Sequence, residues 1–194
     1  MHILAPVLPT FLVRYPQLRI EVEINNQPVS LVGERIDVAI RITDTPEPGT
    51  IARRLGDCES VLCASVDYLH QHGTPETLDD LTQHNCLYYS GFAGKSWHFL
   101  DVQGQTVSVA IKGNLSAGIS SLLCESALAG MGIALVPEPE AREGLAQGKL
   151  VRLLPELQPK RLPIYGLYLS REHQPAGLRL LLDEISETTR ELCH

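Results

Sequence analysis

The run Asp37-Val38-Ala39-Ile40 is the feature that most constrains the fold. An unbroken apolar strand of this kind is expected where a sheet is covered on both faces, the usual setting of a parallel strand between helices. The segments around it alternate in type. Leu4, Val7, Leu8, Phe11, Leu12 and Tyr15 repeat at helical spacing, although Pro9 removes one backbone bond and Tyr15-Pro16 ends the run. Ile20, Val22 and Ile24 alternate with Arg19, Glu21 and Glu23, which predicts a half-exposed strand, and Ser30 to Arg35 predicts a short helix. Strand, helix and strand in series predict an α/β sheet.

The pattern then repeats. Cys58 to Ser65 predicts a strand, after which Asp67 can cap a short helix that Gly73 stops ahead of Thr74-Pro75. Strands are expected at Cys86 to Tyr89, Val107 to Ile111, Ile133 to Pro137 and Leu150 to Leu154, with helices at Ser120 to Gly130 and Pro139 to Leu145. A last strand, Ile164 to Leu169, precedes a helix with Leu178, Leu181, Leu182, Ile185 and Leu192 on one face.

Two α/β units in series therefore leave a strand and a helix over. The first unit is short of elements, so the terminal pair is expected to return to it. One lobe would comprise residues 1–64 and 164–194 and the other 65–163, with crossings near Ala64 to Asp67 and Lys160 to Ile164. Two Rossmann-like lobes of this kind place a ligand in the cleft between them, at strand carboxyl ends and helix amino ends.

Charge and composition narrow the partners. Of the 194 residues, 44% are hydrophobic and 20% charged, as in ordinary globular proteins, and the net charge of -7 would repel a nucleic-acid backbone. The five cysteines, Cys58, Cys63, Cys86, Cys124 and Cys193, are odd in number, form no CxxC pair and sit mostly among apolar neighbours, which predicts reduced buried thiols. No signal-peptide pattern opens the chain and its apolar runs are too short to span a bilayer, so a cytoplasmic location is expected.

Candidate binding residues follow from the expected strand and helix ends. Asn114-Leu115-Ser116-Ala117-Gly118-Ile119-Ser120-Ser121 leaves a strand and opens a helix whose unpaired N–H groups suit a carboxylate or another anion. Asn114, Ser116, Ala117 and Ser120 are its candidate contacts; the alternative is that Ser116 or Ser120 is only a helix cap. Arg41, Ile42 and Thr43 end the apolar strand of the first lobe, where Arg41 as an ordinary surface residue is an equal reading. Ser65 at the first crossing, and Tyr89 and Ser90 after the first strand of the second lobe, complete the set, with core packing the alternative for Tyr89.

Catalytic and metal motifs are absent from the sequence. Ser116 lacks the glycine two residues before it that a nucleophile elbow needs, and Gly130-Met131-Gly132 has no third glycine at dinucleotide spacing. His70 and His72 would leave a helix on different faces, and His84 with Cys86 has no further ligand nearby. Trp97 and Phe99 read as packing. No catalytic residue, cofactor or metal is expected.

Five segments, taken in order, resemble one family. They are Phe11-Leu12…Arg14-Tyr15-Pro16, Asp37-Val38-Ala39-Ile40-Arg41, Ala52-Arg53-Arg54-Leu55-Gly56, Leu62-Cys63-Ala64-Ser65 and Asp80-Leu81…His84-Asn85-Cys86-Leu87. Together they are similar to the effector-binding domain of LysR-type transcriptional regulators. The resemblance implies a two-lobed fold like that of type-two periplasmic binding proteins, a small-molecule effector, and a homodimer or homotetramer with antiparallel subunits. It also implies that the family's first strand and its winged helix-turn-helix would lie before Met1, so that DNA is a partner of the intact protein only. A periplasmic-type solute-binding protein and an enzyme on the same scaffold are the competing readings.

Overall fold

The computed structural model describes residues 3–25, 31, 33, 36–90, 95–169 and 175–192. In chain order its elements are α1 (Leu8–Arg14), β1 (Ala39–Ile42), β2 (Ile51–Cys58), β3 (Ser60–Ser65), α2 (Val66–His72), a 3₁₀ turn (Asp79–Gln83), β4 (Cys86–Tyr89), β5 (Ser96–Leu100), β6 (Thr106–Ala110), β7 (Ser116–Ala117), α3 (Ser120–Leu128), β8 (Ile133–Pro137), α4 (Glu138–Ala146), β9 (Leu150–Arg152), β10 (Gln158–Pro159), β11 (Leu162–Tyr168) and α5 (Ala176–Leu192). They form two compact units, residues 1–58 with 161–194, and residues 59–160.

In the first unit β11 lies between β1 and β2 and is antiparallel to both. The amphipathic α5 covers this sheet with Leu178, Leu181, Leu182 and Ile185, which pack with Phe11 of α1 and with Leu55 and Ile164 of the strands. Close approach is built in at Gly56, where an added Cβ would lie 2.6 Å from Thr189 Oγ1. That hydroxyl donates to the Leu55 carbonyl at 2.6 Å, tying α5 to β2.

The second unit carries a five-stranded sheet in the order β7-β4-β8-β3-β9, and a three-stranded antiparallel sheet in the order β10-β5-β6. β4 runs parallel to β7 and β8, whereas β3 is antiparallel to β8 and β9. Alternation along β3 explains its burial. Val61 and Cys63 face the cluster under α3 and α4, while Leu62 and Ala64 face the one formed with α2, β5 and β6. All four are at most 2% exposed.

Several expectations need correction. The doubly covered apolar strand is β3 and its neighbour β8, not residues 37–40. β1 is shifted to Ala39–Ile42, lies at a sheet edge, is half-buried at its first three residues and pairs antiparallel. Residues 19–24 form no strand, because among the described residues nothing pairs with their backbone as a ladder. The helix expected at Ser30 to Arg35 falls mostly outside the described residues.

The division into units also differs. β3, expected in the first lobe, is hydrogen-bonded between β8 and β9 and so belongs to the second unit, and the chain crosses at 58/59 and 160/161. The cap of α2 is Ser65, whose Oγ accepts from Tyr68 N at 3.2 Å, rather than Asp67. β2 and β5 were not anticipated as strands; their alternating burial depends on which sheets they join.

Candidate functional site

One edge of the five-stranded sheet gathers half of the expected contacts: Tyr89, Ser90, Ser116, Ala117 and Ser120. Because β4, β7 and β8 are parallel, their carboxyl ends lie together, with Tyr88 opposite Ser116 and Tyr89 opposite Ala117. Tyr88 N donates to Leu115 O at 3.2 Å and Ser90 N to Ala117 O at 2.9 Å, so both strands stay in register to their ends. The chain then passes through Gly118 and extended Ile119 into α3. Ile119, at the cap position, has no polar side-chain atom, so no side chain caps this helix, and its first turn holds no acidic residue. Strand carboxyl ends beside an open helix amino end form the arrangement that binds ligands in α/β proteins.

The residues of this edge differ in availability. Ser116 and Ser90 are exposed, and Tyr89 is half-buried against the α3 cluster. Ala117 is 8% exposed, and its methyl belongs to that core. Ser120 Oγ donates to Glu140 Oε1 of α4 at 2.6 Å, which sets a carboxylate at the start of α3. A ligand at this helix end therefore shares the electrostatics of the first turn with Glu140. Twenty residues separate Ser120 from Glu140, so no local spacing announces the pair. Lys95, likewise not anticipated, holds its ammonium 5.4 Å from the centre of the Tyr88 ring.

Ser65 and Asn114 stand apart from this edge. β3 is antiparallel to β8, so Ser60 meets Pro137 at the edge just described, while Ser65 lies about 17 Å along the strand at the other end. It is 4% exposed and caps α2. Asn114 is engaged by Asn85, donating its backbone N–H to Asn85 Oδ1 at 3.0 Å and accepting from Asn85 Nδ2 at 2.9 Å.

Arg41, Ile42 and Thr43 belong to the first unit. Arg41 Nη1 donates to Asn25 O at 2.8 Å. Ile42 lies opposite Ile164 and is 36% exposed. Thr43 N donates to Pro163 O at 3.1 Å, and its hydroxyl closes a local turn, accepting from Thr45 N at 3.1 Å. Among the described residues no group of three or more His, Cys, Asp or Glu side chains is placed to hold a metal, and no helix is long and apolar enough to cross a membrane.

A family comparison decides what this arrangement belongs to. The profile described as LysR substrate binding domain matches residues 1–190. The chain belongs to the LysR substrate-binding-domain family. It is the effector-binding regulatory domain of a LysR-type transcriptional regulator, with that family's two-unit α/β fold resembling type-two periplasmic binding proteins.

Curated LysR relatives include the probable HTH-type transcriptional regulator LtrA of Klebsiella pneumoniae, 34% identical over 98% of this chain and 62% of the relative. The HTH-type transcriptional regulator CrgA of Neisseria meningitidis is 31% identical over 100% of this chain and 65% of the relative. The chain thus spans less than two thirds of their length. Among solved structures, the CrgA regulatory domain superposes with a TM-score of 0.82 at 31% identity, covering 97% of this chain and 92% of that one. The full-length virulence activator AphB of Vibrio cholerae superposes at 0.79 and 31%, covering 95% of this chain and 62% of that one.

Proposed function

We propose that the regulatory domain senses a small molecule held at the β4–β7 edge of its second unit, with Ser90, Ser116 and the opening of α3 as principal contacts and Tyr89 as the apolar wall. The observation that carries this reading is the convergence of parallel strand ends on a helix start that no side chain caps. Arg41, Ile42 and Thr43, at the carboxyl end of β1, are proposed as effector contacts of the first unit. Ser65, Asn114 and Ala117 support the scaffold. A carboxylate effector would gain charge-assisted hydrogen bonds from the α3 amino end, reduced by the Glu140 charge beside it.

In the intact regulator, DNA contact is assigned to a helix-turn-helix outside this chain, consistent with the HTH-type names of the relatives and with the charge of -7 here. Homodimers or homotetramers in the cytoplasm complete the reading. α1 and α3 are the proposed subunit contacts, supported by the exposure of Val13 at 83% and of Ile119 and Leu122 at 51% each. The domain binds its effector without chemical conversion.

A thermal-shift screen against metabolites tests the proposal. A true effector at a hundred times its dissociation constant stabilises by about 2.7 kcal/mol. Ser116→Leu should abolish that shift without unfolding the domain, because the side chain is exposed. Ser65→Ala should lower stability by about 1 kcal/mol and keep the shift. A parental response from Ser116→Leu would remove the β4–β7 edge as the binding site.

A further inference from the structure

At the opposite end of β4, one tyrosine ring is held between two histidines whose hydrogen bonds have opposite polarity. His72 stacks on Tyr68 with ring centres 4.4 Å apart and planes 15° apart. Its Nδ1 lies 3.1 Å from the Tyr68 carbonyl, an atom that can only accept, so this nitrogen carries a proton. On the other side, the Tyr68 hydroxyl lies 3.1 Å from His84 Nδ1 and accepts the Asn85 backbone N–H at 3.0 Å. With the amide donating inward, the proton of this buried hydroxyl still needs an acceptor, and His84 Nδ1 is the acceptor within reach among the described contacts of that oxygen. His84 is 8% exposed and Tyr68 2% exposed.

Protonation therefore affects the two histidines differently. A second proton on His72 leaves its bond to the Tyr68 carbonyl intact and sets a cation over the ring. A second proton on His84 turns its Nδ1 from acceptor to donor at this contact, leaving the buried tyrosine O–H without that partner. We infer that the His84–Tyr68–Asn85 node is a proton-sensitive latch that holds the amino end of β4 only while His84 is neutral. The titratable groups facing His84 are His72 from α2 and Glu76 and Asp80 across a recess of about 280 Å³, with the Tyr68 hydroxyl on its Nδ1.

The balance of those groups favours the neutral imidazole. Burial lowers the His84 pKa from 6.5, the charge of His72 lowers it further, and Asp80 opposes the change. The latch is also connected to the rest of the sheet. Asn85 O accepts from Ile133 N at 2.9 Å, and the Asn85 side chain holds Asn114 and the Met131 carbonyl. Charging His84 thus loosens the mount of the strand whose far end carries Tyr89.

The sign follows from proton counting. The open state takes up a proton at the ordinary value and the closed state only below it. Opening is therefore suppressed above pH 6.5 and grows by up to about tenfold per pH unit between that value and the lowered one. NMR titration of the 194-residue chain tests this directly. His84 should titrate below 6.5, and exchange of the Asn85 amide, corrected for its intrinsic rate, should accelerate in step with it. His84→Asn keeps an acceptor and removes the titration, so its stability loss between about pH 7.5 and 5 should be smaller than that of the parent. The latch is overturned if His84 titrates at 6.5 or above, if the Asn85 amide stays protected once His84 is charged, or if His84→Asn loses as much stability as the parent.

Discussion

Asn85 and Asn114 hold each other reciprocally: each side-chain carbonyl accepts from the other residue, at 3.0 and 2.9 Å. Asn85 also donates to the Met131 carbonyl at 2.6 Å, so one amide joins the starts of three chain segments. Asn85→Ala removes all three bonds and should cost about 1–3 kcal/mol in urea denaturation. Asn114→Ala, which removes only the exposed acceptor, should cost about 0.5–1.5 kcal/mol. Equal losses would show that Asn85 is not the centre of this clasp.

Gly113 runs against the same strand. A Cβ there would sit 1.9 Å from the Cys86 carbonyl, a backbone atom that cannot swing aside. Gly113→Ala should destabilise by about 3 kcal/mol or more. Gly104→Ala, at φ 76° with nothing near the added carbon, should cost only about 1–2 kcal/mol. Thermal unfolding of the two variants side by side reads the difference between steric exclusion and backbone handedness.

Burial pushes the thiols of Cys63 and Cys86 up to about 12 and that of Cys124 up to about 11, neighbouring carboxylates adding to the last. All three should resist alkylation of the native domain at about pH 8, where the thiolate is the reacting form. Half-buried Cys58 should label first. Peptide mass spectrometry in a Cys193→Ser background checks the order, and labelling of Cys63 as fast as Cys58 would contradict it.

With a net charge of -7, the 194-residue chain should give no sequence-specific footprint on DNA even at low salt, where phosphate contacts are strongest. A footprint from this chain alone would overturn the assignment of DNA contact to another part of the regulator.

Local pattern was enough to recognise the elements whose neighbours lie close in sequence or whose periodicity is strong. The sequence pattern marked β4 and β8 at Cys86–Tyr89 and Ile133–Pro137, α3 from Ser120, and the apolar face of α5. Five ordered segments also carried the family. Part of the candidate site was visible as well, since Ser116 and the opening of α3 follow from a strand leading into a helix.

Pairing was beyond the reach of local pattern. Strand direction and sheet membership depend on partners tens of residues away, so β1 became an antiparallel edge and β3 joined the second unit. That antiparallel partnership carried Ser65 to the far end of the sheet, and a contact between α3 and α4 placed Glu140 on Ser120. Side-chain periodicity records which face of an element is buried. Which element buries it, and therefore which residues meet at a site, is decided only when distant segments pack.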